Sequence, residues 1–212
     1  LAGVDAGAAE RNRILKKDIQ LAAAEIAAVA IMEWETDKAD LRRAVADRLA
    51  TLLTDETLFA PNPLRGLAGV ALGRLGDPRP DVNCDIPATV LIPAGPFRMG
   101  SDGKDKNSPY YDELAYRSEE PNHEVVIGFD YRVGRYPVTV AQYRRFVEAG
   151  GYDRNKSKSC WTPAGLKWLA ESGQRAPVYW DDPQWTVDNH PVVGVTWHEA
   201  VAYCAWLNAT KP

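Results

Sequence analysis

The chain has 212 residues, 45% of them hydrophobic, with 25 basic and 29 acidic side chains and a formal net charge of −4. That is enough apolar material for a buried core, and the mixed charges leave no basic stripe for a phosphate backbone, so no nucleic acid partner is expected. No apolar run approaches the ~20 residues that span a bilayer, and residues 21–30 are interrupted by Glu25, so no membrane segment is expected.

Apolar residues at three- and four-residue steps predict a first helix whose greasy face is Leu15, Ile19, Ala22, Ala23, Ile26 and Ala30. A second helix is expected after Asp37 as its cap, running through Leu41, Val45, Leu49 and Leu52. A third is expected with Asn62 as cap and Pro63 at its first position, ending at Gly76. The stretches LRRAVADRLATLLTD (41–55) and LRGLAGVALGRLGD (64–77) share their arginine, alanine and leucine placement. That pattern resembles HEAT-type helical repeats, which need stacked neighbours to bury their faces. A plain helical hairpin packed on the next domain is the alternative.

Three prolines in DPRPDVNCDIP (77–87) exclude a helix or central strand there and mark a domain boundary. The expected organisation is a helical-repeat segment over 1–80, a linker and first strand over 81–90, and a second domain over 86–212. Short β-type runs follow at 89–92, 97–99 and 124–133, with Phe97 and Met99 alternating inward. Thr139 with Gln142, and Thr196 with Glu199, make two capping boxes that start helices. Val192, Val193 and Val195 are expected to form a buried strand before the second of these. The fold class expected is α+β.

The segments IPAGPFRMGS (92–101), EEPNHEVVIGFDYRVGRYPVTVAQYRRFVEAGGY (119–152) and NHPVVGVTWHEAVAYCAWL (189–207) stand in order. Together they resemble the opening two thirds of a domain of the formylglycine-generating enzyme, or sulfatase-modifying factor, family. The resemblance implies a C-type-lectin-like fold cut short at its C-terminus. It also implies that the family's copper-binding cysteine pair and most of its calcium-binding positions lie beyond Pro212. Within the chain the resemblance therefore assigns no cofactor and no catalytic residue.

Three widely spaced cysteines argue against a disulfide framework and for a reducing, cytoplasmic location. Cys204 reads as a small buried hydrophobe, Cys160 as a loop thiol and Cys84 as a linker residue. His123, His190 and His198 have no companion at metal-ligand spacing, so no metal site is named. The aromatic residues Tyr110, Tyr111 and Tyr116 in one polar loop, and Trp161, Trp168, Tyr179, Trp180 and Trp185 in the segment 152–185, are the candidates for a ligand surface.

The function expected from this is a non-catalytic recognition or ligand-binding module. It would belong to a larger bacterial signalling, defence or diversity-generating-retroelement variable protein, working through a protein partner or ligand as part of a larger polypeptide or assembly. The alternative is a copper-dependent oxidase that converts a cysteine of a client protein to formylglycine, with its catalytic cysteines downstream.

Overall fold

A computed structural model describes residues 2–33, 38–55, 58 and 61–210, with side chains from residue 13 onward. Helix α1 spans Ala2–Glu33, α2 Ala39–Leu53 and α3 Asn62–Leu75. They pack around Leu21, Leu49, Ala68 and Leu72, all without solvent exposure, each leucine contributing roughly 1.5–3 kcal/mol by burial. Arg65 on α3 donates to the carbonyls of Leu53 and Leu58, satisfying the C-terminal end of α2. The expected Asp37 cap lies outside the described residues, and Asn62 is the first helical residue of α3, with Pro61 before it.

The inward face of α1 differs from the expected one. Leu15, Ile19 and Ile26 are 58–65% exposed, whereas Leu21, Ala28 and Ile31 are buried. The helix carries apolar residues on nearly every side, so spacing by itself fits more than one face. Packing against α2 and α3 selects one of them. Among the described residues, no helix is long and apolar enough to cross a membrane.

Ala88–Arg135 forms one compact unit, and residues of 1–87 and 136–212 form another. In the first, strand β1 (Thr89–Ile92) pairs antiparallel with β4 (Tyr131–Gly134), and β2 (Gly95–Met99) pairs with β3 (His123–Ile127). The expected single run over 124–133 is thus two strands in two different sheets. Residues 128–130 break it, and the Asp130 carboxylate accepts the Ala94 amide at 2.8 Å. Phe97 and Met99 share a face as alternation requires, but both are exposed, at 43% and 52%.

In the second unit, α4 spans Val140–Glu148, α5 Pro163–Ser172 and α6 Trp197–Thr210. Both expected capping boxes form. Thr139 Oγ1 accepts the Gln142 amide while Gln142 Oε1 accepts the Thr139 amide. Glu199 Oε2 likewise accepts the Thr196 amide. The strand expected over 192–195 is absent: Pro191 makes only an isolated bridge to Thr139, and Gly194, at φ +71°, turns the chain out of extended geometry. Helix α3 is joined to the turn before α6 by Asn189, whose amide donates to the Gly69 carbonyl at 2.9 Å and to Asp77 at 3.0 Å. The mixed helix and strand content is α+β.

Candidate functional site

The capped starts of α4 and α6 aim their side chains into one aromatic core. Tyr143 and Phe146 of α4 meet Tyr203 and Trp206 of α6, and Tyr143 stacks on Tyr203 with centroids 5.0 Å apart. Such pairs add about 0.5–1.5 kcal/mol each beyond their area. Inside this core lies Glu199, only 1% exposed. Its Oε1 accepts the Tyr152 hydroxyl at 2.6 Å, and its Oε2 accepts the amide and hydroxyl of Thr196 at 2.7 Å. Tyr143 lies next in line, its hydroxyl 3.2 Å from that of Tyr152. A buried carboxylate is tolerated when its lone pairs are filled in this way.

Burial raises the phenol pKa values of Tyr152 and Tyr143, and in both the neighbouring Glu199 adds to the rise. Both therefore stay neutral donors. Tyr203 is pushed up to about 12, chiefly by burial, and its hydroxyl has no hydrogen-bond partner among the described residues. Burial also lowers the pKa of His190, with Arg74 contributing.

The loop leading from α4 to α5 is pinned by short contacts. Gly150 takes φ +83°, Ser157 donates its hydroxyl to the carbonyls of Gly151 and Asp153, and the Trp161 indole donates to Gly151 at 2.8 Å. Helix α5 starts on a Thr162 cap that accepts the Gly165 amide, with Pro163 in its first turn, and stops at Gly173 in the left-handed region. Between loop and helix opens a cavity of about 600 Å³ bordered by Arg154, Lys158, Leu166, Leu169 and Arg175.

The eight aromatic candidates do not form one surface. Trp161 is 5% exposed and belongs to the core, stacked on Trp168 at 6.1 Å, which in turn lies 5.9 Å from His198. Trp180 is half-buried edge-on to Tyr143, with the Arg144 guanidinium over its ring. Tyr179 and Trp185 form an exposed pair 6.0 Å apart. Tyr110, Tyr111 and Tyr116 sit in the other compact unit. There Arg98 lies over the Tyr110 ring, Tyr111 bridges to Asp102, and the Tyr116 amide donates to Glu119. The buried Glu199–Tyr152 pair and the cation-rich cavity were not singled out by sequence. Glu199 was legible only as a cap, and Arg154 and Lys158 only as polar loop residues.

Cys84, Cys160 and Cys204 are free thiols on separate elements. The expectation of a buried Cys204 is corrected: α6 turns Glu199, Ala202 and Tyr203 inward, a face one step round from Ala200 and Cys204. Its thiol is exposed by surface area, yet surrounding protein atoms still raise its pKa. Among the described residues no group of three or more histidine, cysteine or acidic side chains is placed to hold a metal ion. Among the described residues the side chains do not fit a copper pair or a calcium cage.

Residues 75–211 match the family described as Sulfatase-modifying factor enzyme 1-like domain. The chain is 36% identical over 168 residues to the hercynine oxygenase of Mycolicibacterium smegmatis, covering 74% of this chain and 36% of that protein. It is 29% identical over 147 residues to the formylglycine-generating enzyme of Thermomonospora curvata, covering 58% and 45% respectively, and 28% identical over 163 residues to that of Mus musculus, covering 67% and 41%. The chain thus spans less than half the length of these relatives. Their names are those of enzymes, which overturns the expected non-catalytic recognition module. The expectation rested on the absence of a catalytic residue from the chain and on its helical fusion. Neither weighs against an enzyme when the relatives extend far beyond the matched portion.

Proposed function

The chain belongs to the sulfatase-modifying factor enzyme 1-like family, and from that premise we propose that it forms part of an enzyme that uses oxygen to oxidise its substrate. The observation that carries this reading is the 36% identity to hercynine oxygenase. The aligned 74% of the chain exceeds the share made up by residues 75–211, and only Pro212 lies beyond that span. The similarity therefore reaches back into α3, before residue 75. An oxygenase acting on a hercynine-like small molecule is accordingly the first reading. The alternative is a formylglycine-generating oxidase that acts on a cysteine of a client protein, supported by the 29% identity to that enzyme.

In this proposal the aromatic core around Glu199 is scaffold. The Glu199–Tyr152–Tyr143 chain fixes α4 against α6, and the metal-binding residues, for copper or calcium, belong to the part of the relatives' length that this chain does not span. The domain takes a C-type-lectin-like fold, follows a HEAT-like helical segment over residues 1–80 with a linker over 81–90, and works in the cytoplasm within a larger polypeptide. Of the aromatic candidates, Tyr179, Trp185, Tyr110 and Tyr116 keep enough exposure to meet a ligand or protein partner.

The test is oxygen uptake by the full-length protein, supplied in turn with hercynine and with a cysteine-containing peptide. Uptake with hercynine supports the first reading, and aldehyde formation on the peptide supports the second. Uptake with neither, in protein as purified and after copper loading, removes both.

A further inference from the structure

The cavity between the 150–160 loop and α5 gathers three cationic side chains. Arg154, Lys158 and Arg175 all border it and are exposed. Among the described residues none of the three has an acidic partner. Four other arginines of the same unit are committed: Arg79 to Asp77, Arg144 to Asp188, Arg145 to Asp85 and Arg65 to two carbonyls. In a chain of net charge −4, three cations without an ion-pair partner around one hollow are a local positive excess.

Two features reduce that excess without removing it. Asp153 also borders the cavity, with one oxygen accepting the Asn155 amide. The C-terminal end of α5 contributes about half a negative charge from its aligned peptides. Three positive charges against these leave the hollow positive. Leu166, Leu169 and Tyr152 give it an apolar part among the polar lining. Its walls are preset: the Ser157 and Trp161 hydrogen bonds hold the loop, and Gly173 at φ +64° turns the chain so that Arg175 follows onto the rim. Fixed walls lower the ordering cost of binding. A guanidinium pair with an ammonium is the donor set that recognises carboxylate and phosphate oxygens.

We propose that this cavity is a binding site for a small organic anion, with a phosphate or carboxylate head held by Arg154, Lys158 and Arg175 and an apolar body laid on Leu166 and Leu169. The proposal stands on the cavity itself and is independent of the oxidative activity.

The experiment is calorimetric titration of the full-length protein with phenyl phosphate and with inorganic phosphate. Phenyl phosphate is expected to bind saturably and several-fold more tightly than inorganic phosphate. Arg154→Ala and Arg175→Ala should each weaken it about tenfold, the loss of one charge-assisted contact. Arg144→Ala, which touches Asp188 and Trp180 instead, should leave binding unchanged. Raising the salt concentration should weaken binding, because the site is open to screening. The proposal fails if phenyl phosphate shows no saturable binding up to about 10 mM, a weak-binding bound near 3 kcal/mol. It also fails if the arginine variants bind like the unaltered protein, or if inorganic phosphate binds as tightly as phenyl phosphate, which would leave no role for the apolar part of the lining.

Discussion

The side-chain amide of Asn189 reaches the backbone carbonyl of Gly69 at 2.9 Å, linking the turn before α6 to a helix 120 residues earlier in the chain. The contact depends on Gly73, one helical turn on from Gly69. A Cβ there would lie 2.2 Å from Asn189 Oδ1 and 2.5 Å from Val187 Cγ1.

Gly73→Ala should therefore destabilise the protein by about 1–3 kcal/mol, the usual cost of overpacking. Gly69→Ala has open space around its Cβ and should stabilise α3 by up to roughly 1 kcal/mol through helix propensity. Urea denaturation of the two variants checks the opposite signs. Equal shifts would mean that helix propensity alone governs this face.

Tyr152→Phe and Tyr203→Phe form a second contrast. The Tyr152 hydroxyl donates to the buried Glu199, and removing it should cost about 1.5–3 kcal/mol, as for hydrogen bonds to charged groups. The Tyr203 hydroxyl has no partner among the described residues, and its ring stacking survives in phenylalanine, so that variant should lie within about 0.5 kcal/mol of the unaltered protein. Thermal denaturation separates the two. A large loss in Tyr203→Phe would show that its hydroxyl bonds to ordered water.

Acid should weaken the fold in two windows. Burial lowers the His190 pKa below its ordinary 6.5, so protonation is resisted more in the folded state. That stability is present above pH 6.5 and is lost as pH falls through the folded value. For Asp77, burial raises the pKa, but hydrogen bonds from Arg79 and Asn189 outweigh it and bring the net value below 3.8. Its contribution is present above that pH and disappears below it. Denaturation midpoints across pH, compared with His190→Gln and Asp77→Asn, should show each loss vanish in its own variant.

Thr139 serves two elements at once. Its hydroxyl caps α4 by accepting the Gln142 amide, and donates to the Val82 carbonyl at 2.7 Å. Thr139→Ala should cost about 1–2 kcal/mol, at the upper end for a cap because a second bond goes with it. Thr139→Ser should recover most of the loss, as read by thermal melting.

Local chemistry was the legible part of this fold. Both capping boxes, strand 89–92 and the stop of α3 at Gly76 follow from residue types within a few positions of one another. Helix α5 carried an equally local signal, Thr162 with Pro163 at one end and Gly173 at the other, that aromatic density in 152–185 obscured. What local patterns cannot show is partner choice. An α1 apolar on several sides offers more than one inward face, and the run 124–133 conceals a change of sheet. Glu199 looked like a cap because its spacing from Thr196 is that of a cap. Its second bond, to Tyr152, depends on a contact 47 residues away. The cavity likewise brings Arg175 beside Arg154 only through the turn at Gly173.

The Asn189 junction also constrains how such a protein can be reshuffled over generations. A new N-terminal helical partner would have to arrive with a bare backbone where Gly73 stands, an acceptor carbonyl where Gly69 stands and a carboxylate where Asp77 stands, all in one step. Partial exchanges would leave an amide stranded or a side chain colliding. The third helix and the segment around Asn189 thus form one shared interface, and a cut made between them divides it.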